Sequence, residues 1–227
     1  MTLDFSVLAG NMQYFYTGIK WTILISLLSV LFGVIFGALL TLMKRSKFKI
    51  GKVKPLSIVA TAYIEIIRGT PMLLQIMLVY YGFDQLLNIN MDPLPAGIIA
   101  VSLNSAAYVS EIIRAGIDAV DKGQLEAARS LGMNQFMAMK LIIIPQATKN
   151  ILPAIGNEFV TVIKESSMAS VIGVGEIMYS AKVITGKTFR AFEPLIVAAV
   201  FYFVITFTLG RVMNYIERRM KASDSRY

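Results

Sequence analysis

The chain has 227 residues, of which 56% are hydrophobic and only 16% are charged, a balance too apolar for an ordinary soluble domain. It contains no cysteine and no histidine, which excludes disulfides, thiol chemistry, the commonest metal ligand and the commonest general base. The net charge of +8 does not indicate nucleic-acid binding, because the basic residues form short clusters beside apolar runs, as the positive-inside rule predicts. We therefore interpret residues 1–227 as one integral membrane unit.

The first segment, residues 1–16, mixes apolar and polar side chains and has two interpretations. One is an amphipathic helix that lies at the interface on the outer face of the membrane, and the other is a loosely packed segment that precedes the first span. No cleavable signal peptide is expected, since the first residues lack a basic cluster.

Five apolar segments are long enough to cross a membrane, since a spanning helix needs about 20 residues. They cover residues 17–43, 55–82, 94–117, 149–166 and 191–213. Thr70-Pro71 predicts a kink in the second segment, and Pro153 and Gly156 predict an interruption of the fourth. Residues 167–190 are too polar for lipid contact, so we expect a short buried or outer-surface helix with loops.

The distribution of charge orients these spans. The loop from Lys44 to Lys54 carries six basic residues and no acidic one, which places it in the cytoplasm. The loop after the second span carries Asp84 and Asp92 without Lys or Arg, as an outer loop should. A basic cluster after the fifth span places the tail, residues 214–227, inside. The predicted fold is all-α and integral to the membrane, with five transmembrane helices, an outer N-terminus and a cytoplasmic C-terminus.

The segment 121–147 separates the third span from the fourth on the predicted cytoplasmic side. Asp121 and Asn134 are suited to cap two short helices, and Gly132 suits the left-handed residue that ends the first. Pro145 predicts a stop or a kink in the second helix. One apolar stripe follows the second helix and consists of Met133, Phe136, Met137, Leu141 and Ile144. A small, polar, sharply turned element between long apolar spans is suited to docking a partner.

Short motifs in and around this segment carry a resemblance to a known family. Within the segment they are Glu126-Ala127-Ala128, Gly132 and Ile142-x-Ile144-Pro145-x-Ala147. Elsewhere they are Arg68-Gly69-Thr70-Pro71 with Gln75, Tyr108-x-x-Glu111-Ile112-x-Arg114, Gly123-Gln124, Leu152-Pro153 and Ser170-Val171-Ile172-Gly173. Together they resemble the permeases of ATP-binding-cassette importers for polar amino acids, over about residues 15–215. One departure is Ile144, where the family favours Leu.

The resemblance implies a type I importer permease fold in which the segment 121–147 is a cytoplasmic coupling element. The residues it assigns to contact with an ATPase subunit are Glu126, Ala127, Ala128, Gly132 and Pro145. It also implies a second permease chain, identical or homologous, an extracellular or periplasmic amino-acid-binding protein, and a multi-pass position in a prokaryotic inner membrane. The chain lacks a Gly-x-x-x-x-Gly-Lys-Ser/Thr loop, so we expect it to bind no cofactor and to be no enzyme, with ATP and Mg bound by the ATPase subunit.

Three spans place polar groups near the middle of the bilayer, if each residue rises about 1.5 Å through a core about 30 Å thick. These candidates for a substrate path are Glu65, Arg68, Asn104, Ser105, Asn157 and Glu158. A charge at the bilayer centre costs roughly 2.5–3.5 kcal/mol on insertion scales. Charges kept there therefore indicate a water-filled interior and a function.

Two interpretations of these groups remain open. In the structural one, Glu65 and Arg68 lie three residues apart on one helix and neutralise each other. In the functional one, Arg68 meets a substrate carboxylate as a fork, while Glu158 or Glu65 meets an ammonium group or a cationic side chain. The expected interruption at Pro153 and Gly156 favours Glu158, because broken helices in transporters tend to line the site. The neutral candidates serve equally well as links between helices.

Glu111 and Arg114 are likewise three residues apart, near the cytoplasmic end of the third span, and are expected to form a structural or gating pair. The leading hypothesis for the chain is the permease subunit of an ATP-driven importer for polar amino acids, with Glu65 and Glu158 tilting the substrate toward basic ones such as arginine. The alternative is an ion-coupled secondary amino-acid transporter, which leaves the segment 121–147 without a role. A non-transporting membrane scaffold is a third possibility, and it leaves the charges at mid-depth unexplained.

Overall fold

The computed structural model describes residues 3–222; residues 1–2 and residues 223–227, which belong to the predicted cytoplasmic tail, lie outside the described part. Near the N-terminus, Phe5–Leu8 form a short 3₁₀ turn that is capped by the carboxylate of Asp4. The long helix α1 begins soon afterwards, at Met12. Within the segment predicted to lie at the outer interface, residues 3–16 thus form a short turn and the start of α1, and the interfacial position stays a prediction.

The described residues form helices joined by short connections. The first four helices are α1 (Met12–Arg45), α2 (Pro55–Gly69), α3 (Met72–Leu87) and α4 (Pro93–Asp118). The next three are α5 (Lys122–Ser130), α6 (Gln135–Ala138) and α7 (Ile144–Glu165). The last two are α8 (Ile177–Thr188) and α9 (Phe192–Ala222). A π turn, Met139–Ile143, joins α6 to α7, and a 3₁₀ turn, Ser166–Ile172, follows α7.

Three of these helices, α1, α4 and α9, are long and apolar enough to cross a membrane on their own. Two bent pairs could each add one more span: α2 with α3, which bend by 111°, and the helical run Gln135–Ile172 with α8, which bend by 43°. Residues 3–222 thus contain three spans, or up to five if each bent pair counts as one. The all-helical membrane fold is confirmed, and the predicted number of five is its upper bound.

The prolines act differently from one another. The kink predicted at Thr70-Pro71 is confirmed and is large enough to divide the second span into α2 and α3. The interruption predicted at Pro153 and Gly156 is wrong, because α7 runs unbroken through both. Pro145 does not stop its helix either, since it lies in the first turn of α7, directly after the π turn. A wider helical turn upstream gives the proline ring room without ending the helix.

Close contact between α1 and α4 fixes the position of the polar groups on α4 within the bundle. A Cβ atom on Gly33 would lie 2.7 Å from the Ser105 hydroxyl, and one on Gly37 would lie 2.9 Å from the carbonyl oxygen of Ala106. Only glycine permits so near an approach, as in other membrane helix pairs that meet through small residues. Ser105 is therefore held against α1 at one side and is free to reach α7 at the other.

Candidate substrate path and coupling segment

The break between α2 and α3 is held together by one side chain, that of Gln75. Its Nε2 donates to the carbonyl oxygens of Ile67 at 2.7 Å and Thr70 at 3.1 Å, and to the Thr70 hydroxyl at 2.8 Å. Its Oε1 accepts a hydrogen bond from Nδ2 of Asn104 at 2.9 Å. The bend removes these carbonyls from regular helical pairing, so Gln75 supplies the partners that lipid would not.

Asn104, one of the predicted substrate-path residues, belongs to this brace. It is only 4% exposed, and Gln75 is 7% exposed. Its amide group donates to Gln75 and so connects α4 to the bent pair α2–α3. Asn104 therefore contacts the side chain that holds the bend together.

Ser105 and Glu158 form a second polar contact, between α4 and α7. The Ser105 hydroxyl donates to Oε1 of Glu158 at 3.3 Å, a long hydrogen bond. The Glu158 side chain is half-buried, and no basic side chain lies within ion-pair distance of it among residues 3–222. Because a carboxylate can accept about four hydrogen bonds, most of its capacity is left for a ligand.

The remaining candidates, Glu65, Arg68 and Asn157, lie on exposed faces of their helices. Within the described chain Glu65 and Arg68 form no ion pair, so the mutual neutralisation considered from their spacing is not observed. The guanidinium carbon of Arg68 instead lies 5.4 Å from the centre of the Tyr108 ring, in a cation–π contact with α4. That contact fixes the stem of Arg68 and leaves its hydrogen-bond donors open.

The segment 121–147 has the local geometry that its sequence predicts. The Asp121 carboxylate accepts a hydrogen bond from the backbone N–H of Gly123 at 2.6 Å and caps α5. Asn134 accepts from the backbone N–H of Met137 at 2.8 Å and caps α6. Gly132 has φ +84°, in the left-handed region. The two predicted caps and the predicted turn residue are confirmed.

The surface of this segment is unusually apolar for one so polar in sequence. Leu131 is 80% exposed and Phe136 is 73% exposed. The predicted apolar stripe is likewise open along Met137, Leu141 and Ile144, while Met133 is half-buried. A cavity of about 660 Å³ lies beside it, between Glu126 and Met139. Large exposed apolar side chains at a turned element favour contact with another protein.

An ion cluster joins α1 to α4 at the same end of the bundle, which we call the basic end because it carries the loop from Arg45 to Lys54. Glu111 accepts from Lys44 at 2.8 Å and from Arg114 at 2.8 Å. Asp118 accepts from Arg45 at 3.1 Å and from Arg114 at 3.1 Å. The predicted Glu111–Arg114 pair is formed, and its role in gating stays a prediction.

The family described as the binding-protein-dependent transport system inner membrane component matches residues 29–222. The chain belongs to this family. The resemblance that the sequence motifs carry is thereby confirmed, together with a position in the inner membrane.

Relatives of this permease transport amino acids. It is 44% identical to the arginine transport system permease protein ArtQ of Bacillus subtilis, over 99% of this chain and 100% of the relative. It is 42% identical to the putative glutamine transport system permease protein GlnP of Rickettsia bellii, over 89% of this chain and 90% of the relative.

Solved structures give the same result for the fold. A crystal structure of an amino acid ABC transporter with histidines is 48% identical and has a TM-score of 0.90, over 96% of this chain and 100% of that chain. An inward-facing methionine ABC transporter, MetNI, has a TM-score of 0.71 at 17% identity, which shows a shared fold alone.

Sequence reasoning missed two residues of the permease. Gln75 belongs to a family motif, and its position four residues after Pro71 in an apolar run makes it a candidate partner for the carbonyls that the bend frees. Glu165 is seven residues after Glu158, about two helical turns, so both carboxylates lie on one face of α7. Glu165 is half-buried, as Glu158 is. The helical spacing alone could have found it.

Proposed function

We propose that this permease is the membrane-spanning subunit of an ATP-driven importer for polar amino acids, with a preference for basic ones. The observation that carries the preference is the half-buried Glu158 carboxylate, which within the described residues is bonded to Ser105 alone, at 3.3 Å. A cationic group would supply the missing positive charge and stronger hydrogen bonds. The arginine and glutamine permeases among the relatives support the amino-acid class but differ in substrate charge, so the carboxylate carries the finer choice.

The exposed candidates complete the proposed path. Arg68 has its donors open and receives the substrate carboxylate as a fork, while Glu65 stands nearby as a second acceptor. Asn157 is exposed beside Glu158 and can donate to the substrate. Asn104 contributes through Gln75, by keeping the break between α2 and α3 in place.

The coupling segment 121–147 is proposed to dock a separate ATPase subunit, with Glu126, Ala127, Ala128, Gly132 and Pro145 at or beside the contact. The exposed side chains of Leu131 and Met137 support this, because they need cover that the described chain does not provide. ATP and Mg would bind to that subunit, and this chain would be neither an enzyme nor a cofactor protein. Closure of the ATPase pair would move the segment and convert the spans from inward-open to outward-open.

The proposed arrangement has five spans, an outer N-terminus and a cytoplasmic basic end, in keeping with the positive-inside rule. It includes a second permease chain, identical or homologous, and an external amino-acid-binding protein. An ion-coupled secondary transporter has less support, since it gives the exposed side chains of the coupling segment no partner.

The test is uptake into proteoliposomes that contain the permease with its ATPase subunits and its binding protein. We expect arginine to accumulate only with ATP, and lysine to compete better than glutamine. Uptake without the ATPase subunit, driven by an ion gradient, would instead establish secondary transport. Because the chain has no cysteine, a single Glu126→Cys replacement reports topology, and its labelling from the external side would refute the docking role.

A further inference from the structure

A groove on the basic end of the bundle has no role in the proposed transport path. It is a cavity of about 780 Å³ between α1, α4 and the start of the α6–α7 helical run. The side chains of its wall are mainly apolar and include Leu42, Ile113, Ile117, Phe136 and Ile144. Leu42 is 68% exposed, so the groove is open along the side of α1 that leads into the bilayer.

The rim of this groove is positively charged. Arg45, Lys47 and Lys140 all line it. Lys47 and Lys140 are exposed, and among residues 3–222 neither has a carboxylate partner. Arg45 is bonded to Asp118 through one nitrogen at 3.1 Å, so its other N–H donors remain available. An apolar groove with cations at its mouth is complementary to a molecule with a hydrocarbon part and an anionic head.

The loop from Arg45 to Lys54, beside the groove, also combines positive charge with exposed apolar side chains. Phe48, Ile50 and Val53 are exposed, and they alternate with basic residues in a loop that contains no acidic residue. Ile50 and Val53 hold each other in a tight turn through two backbone hydrogen bonds, at 2.9 and 3.1 Å. Basic residues interleaved with exposed apolar ones are typical of segments that lie on an anionic lipid surface.

We propose that this groove binds one anionic phospholipid of the inner membrane. Its acyl chain lies along Leu42 and Phe136, and its phosphate lies between Lys47 and Lys140. The position favours a lipid because the apolar wall continues into the lipid-facing side of α1, while the cations stand where the span ends. Basic pockets between membrane helices are known to receive anionic headgroups. Since Phe136 and Lys140 belong to the coupling segment, the bound lipid would link α1 to that segment.

The first experiment compares lipid retention by two charge variants of the full transporter complex. The groove variant is Lys47→Gln with Lys140→Gln, and the matched control is Lys49→Gln with Lys52→Gln, which removes equal charge from the same end. Native mass spectrometry after reconstitution in mixed phosphatidylglycerol and phosphatidylcholine counts the retained lipid. We expect the groove variant to lose phosphatidylglycerol affinity by about fivefold for each lysine, and the control, whose lysines do not line the groove, to lose clearly less. Equal loss in both variants, or equal retention of both lipids, would overturn the proposal.

The second experiment reports the position of the lipid. The chain has a single tryptophan, so Trp21→Phe gives a silent background for Leu42→Trp in the groove and Leu31→Trp further along α1. We expect brominated phosphatidylglycerol to quench the tryptophan at position 42 more strongly than brominated phosphatidylcholine, and both to quench equally at position 31. No preference at position 42, or a preference lost when the ATPase subunits bind, would show that lipid does not occupy the groove in the transporter.

Discussion

Two polar clusters in the same helical bundle differ in how fully their hydrogen bonds are satisfied. At the α2–α3 break, Gln75 uses both ends of its amide, with Asn104 and two backbone carbonyls as partners. Between α4 and α7, the Glu158 carboxylate has one long bond, from Ser105. In a lipid environment a saturated cluster stabilises the scaffold, whereas spare acceptors on a charged group favour a ligand. The number of open hydrogen-bonding positions, more than polarity alone, therefore separates a structural brace from a candidate binding site.

Gln75→Leu is expected to have the largest effect of the substitutions that test the difference between the two polar clusters. We expect the free energy of unfolding to fall by about 3 kcal/mol, because the change leaves two backbone carbonyls and the Asn104 amide without partners. Thermal unfolding of the purified complex, monitored by size-exclusion chromatography, reports this loss of stability. Gln13→Leu is the control, since Gln13 is exposed, and its effect should stay within about 0.5 kcal/mol. A Gln75 variant that melts normally but loses uptake would make Gln75 a substrate contact and remove the distinction.

Glu158→Gln tests the open cluster. We expect the melting temperature to stay the same or rise, because the change removes a half-buried charge that has no ion-pair partner. Uptake of arginine should fall by about ten- to a hundredfold, since a hydrogen bond to a charged group contributes about 1.5–3 kcal/mol, and uptake of glutamine should change much less. KM values for the two substrates provide the comparison. An equal loss for both amino acids would show that Glu158 does not recognise charge.

Local features of the fold could be predicted because they depend on near neighbours in sequence. The caps at Asp121 and Asn134 and the left-handed Gly132 each involve partners within a few residues. The bend after Gly69 was predicted only as a kink, because its size depends on Gln75 and on α4. The interruption expected at Pro153 failed because membrane helices tolerate proline where neighbouring groups satisfy the freed backbone.

The site shows where sequence reasoning ended. The rise per residue predicts a similar depth for Asn104 and Ser105, and the structure places both in hydrogen-bonded polar clusters of the bundle. It did not give their directions: Asn104 reaches Gln75 on α3, whereas the adjacent Ser105 reaches Glu158 on α7. Neighbours in sequence thus belong to different clusters, because the packing of three helices decides which partner each side chain meets.

Gly132→Leu extends the comparison to a third region, where exposed apolar side chains rather than open polar groups are expected to bind. Its φ of +84° makes any L side chain strained, so the free energy of unfolding should fall by about 1 kcal/mol. Gly51→Leu is a matched control, with φ +61° and nothing within 4 Å of a Cβ. Both variants should insert, but only Gly132→Leu should lose co-purification of the ATPase subunit. Equal co-purification would place the docking contact elsewhere.

The smallest effect is expected at the ion cluster of the basic end, where Glu111 accepts from Lys44 and Arg114, each at 2.8 Å, and the side chain of Arg114 is 42% exposed. Glu111→Gln should lower the free energy of unfolding by about 0.5 kcal/mol, because water can replace partners at the membrane boundary as it could not at Gln75. The loss should become smaller in about 1 M salt, where the Debye length is about 3 Å. A loss as large as that of Gln75→Leu, and independent of salt, would mean that the number of hydrogen bonds removed determines the loss of unfolding free energy. The position of the cluster in the bundle would then have no effect. The distinction between the two polar clusters would then rest on hydrogen bonding alone, without a contribution from the lipid.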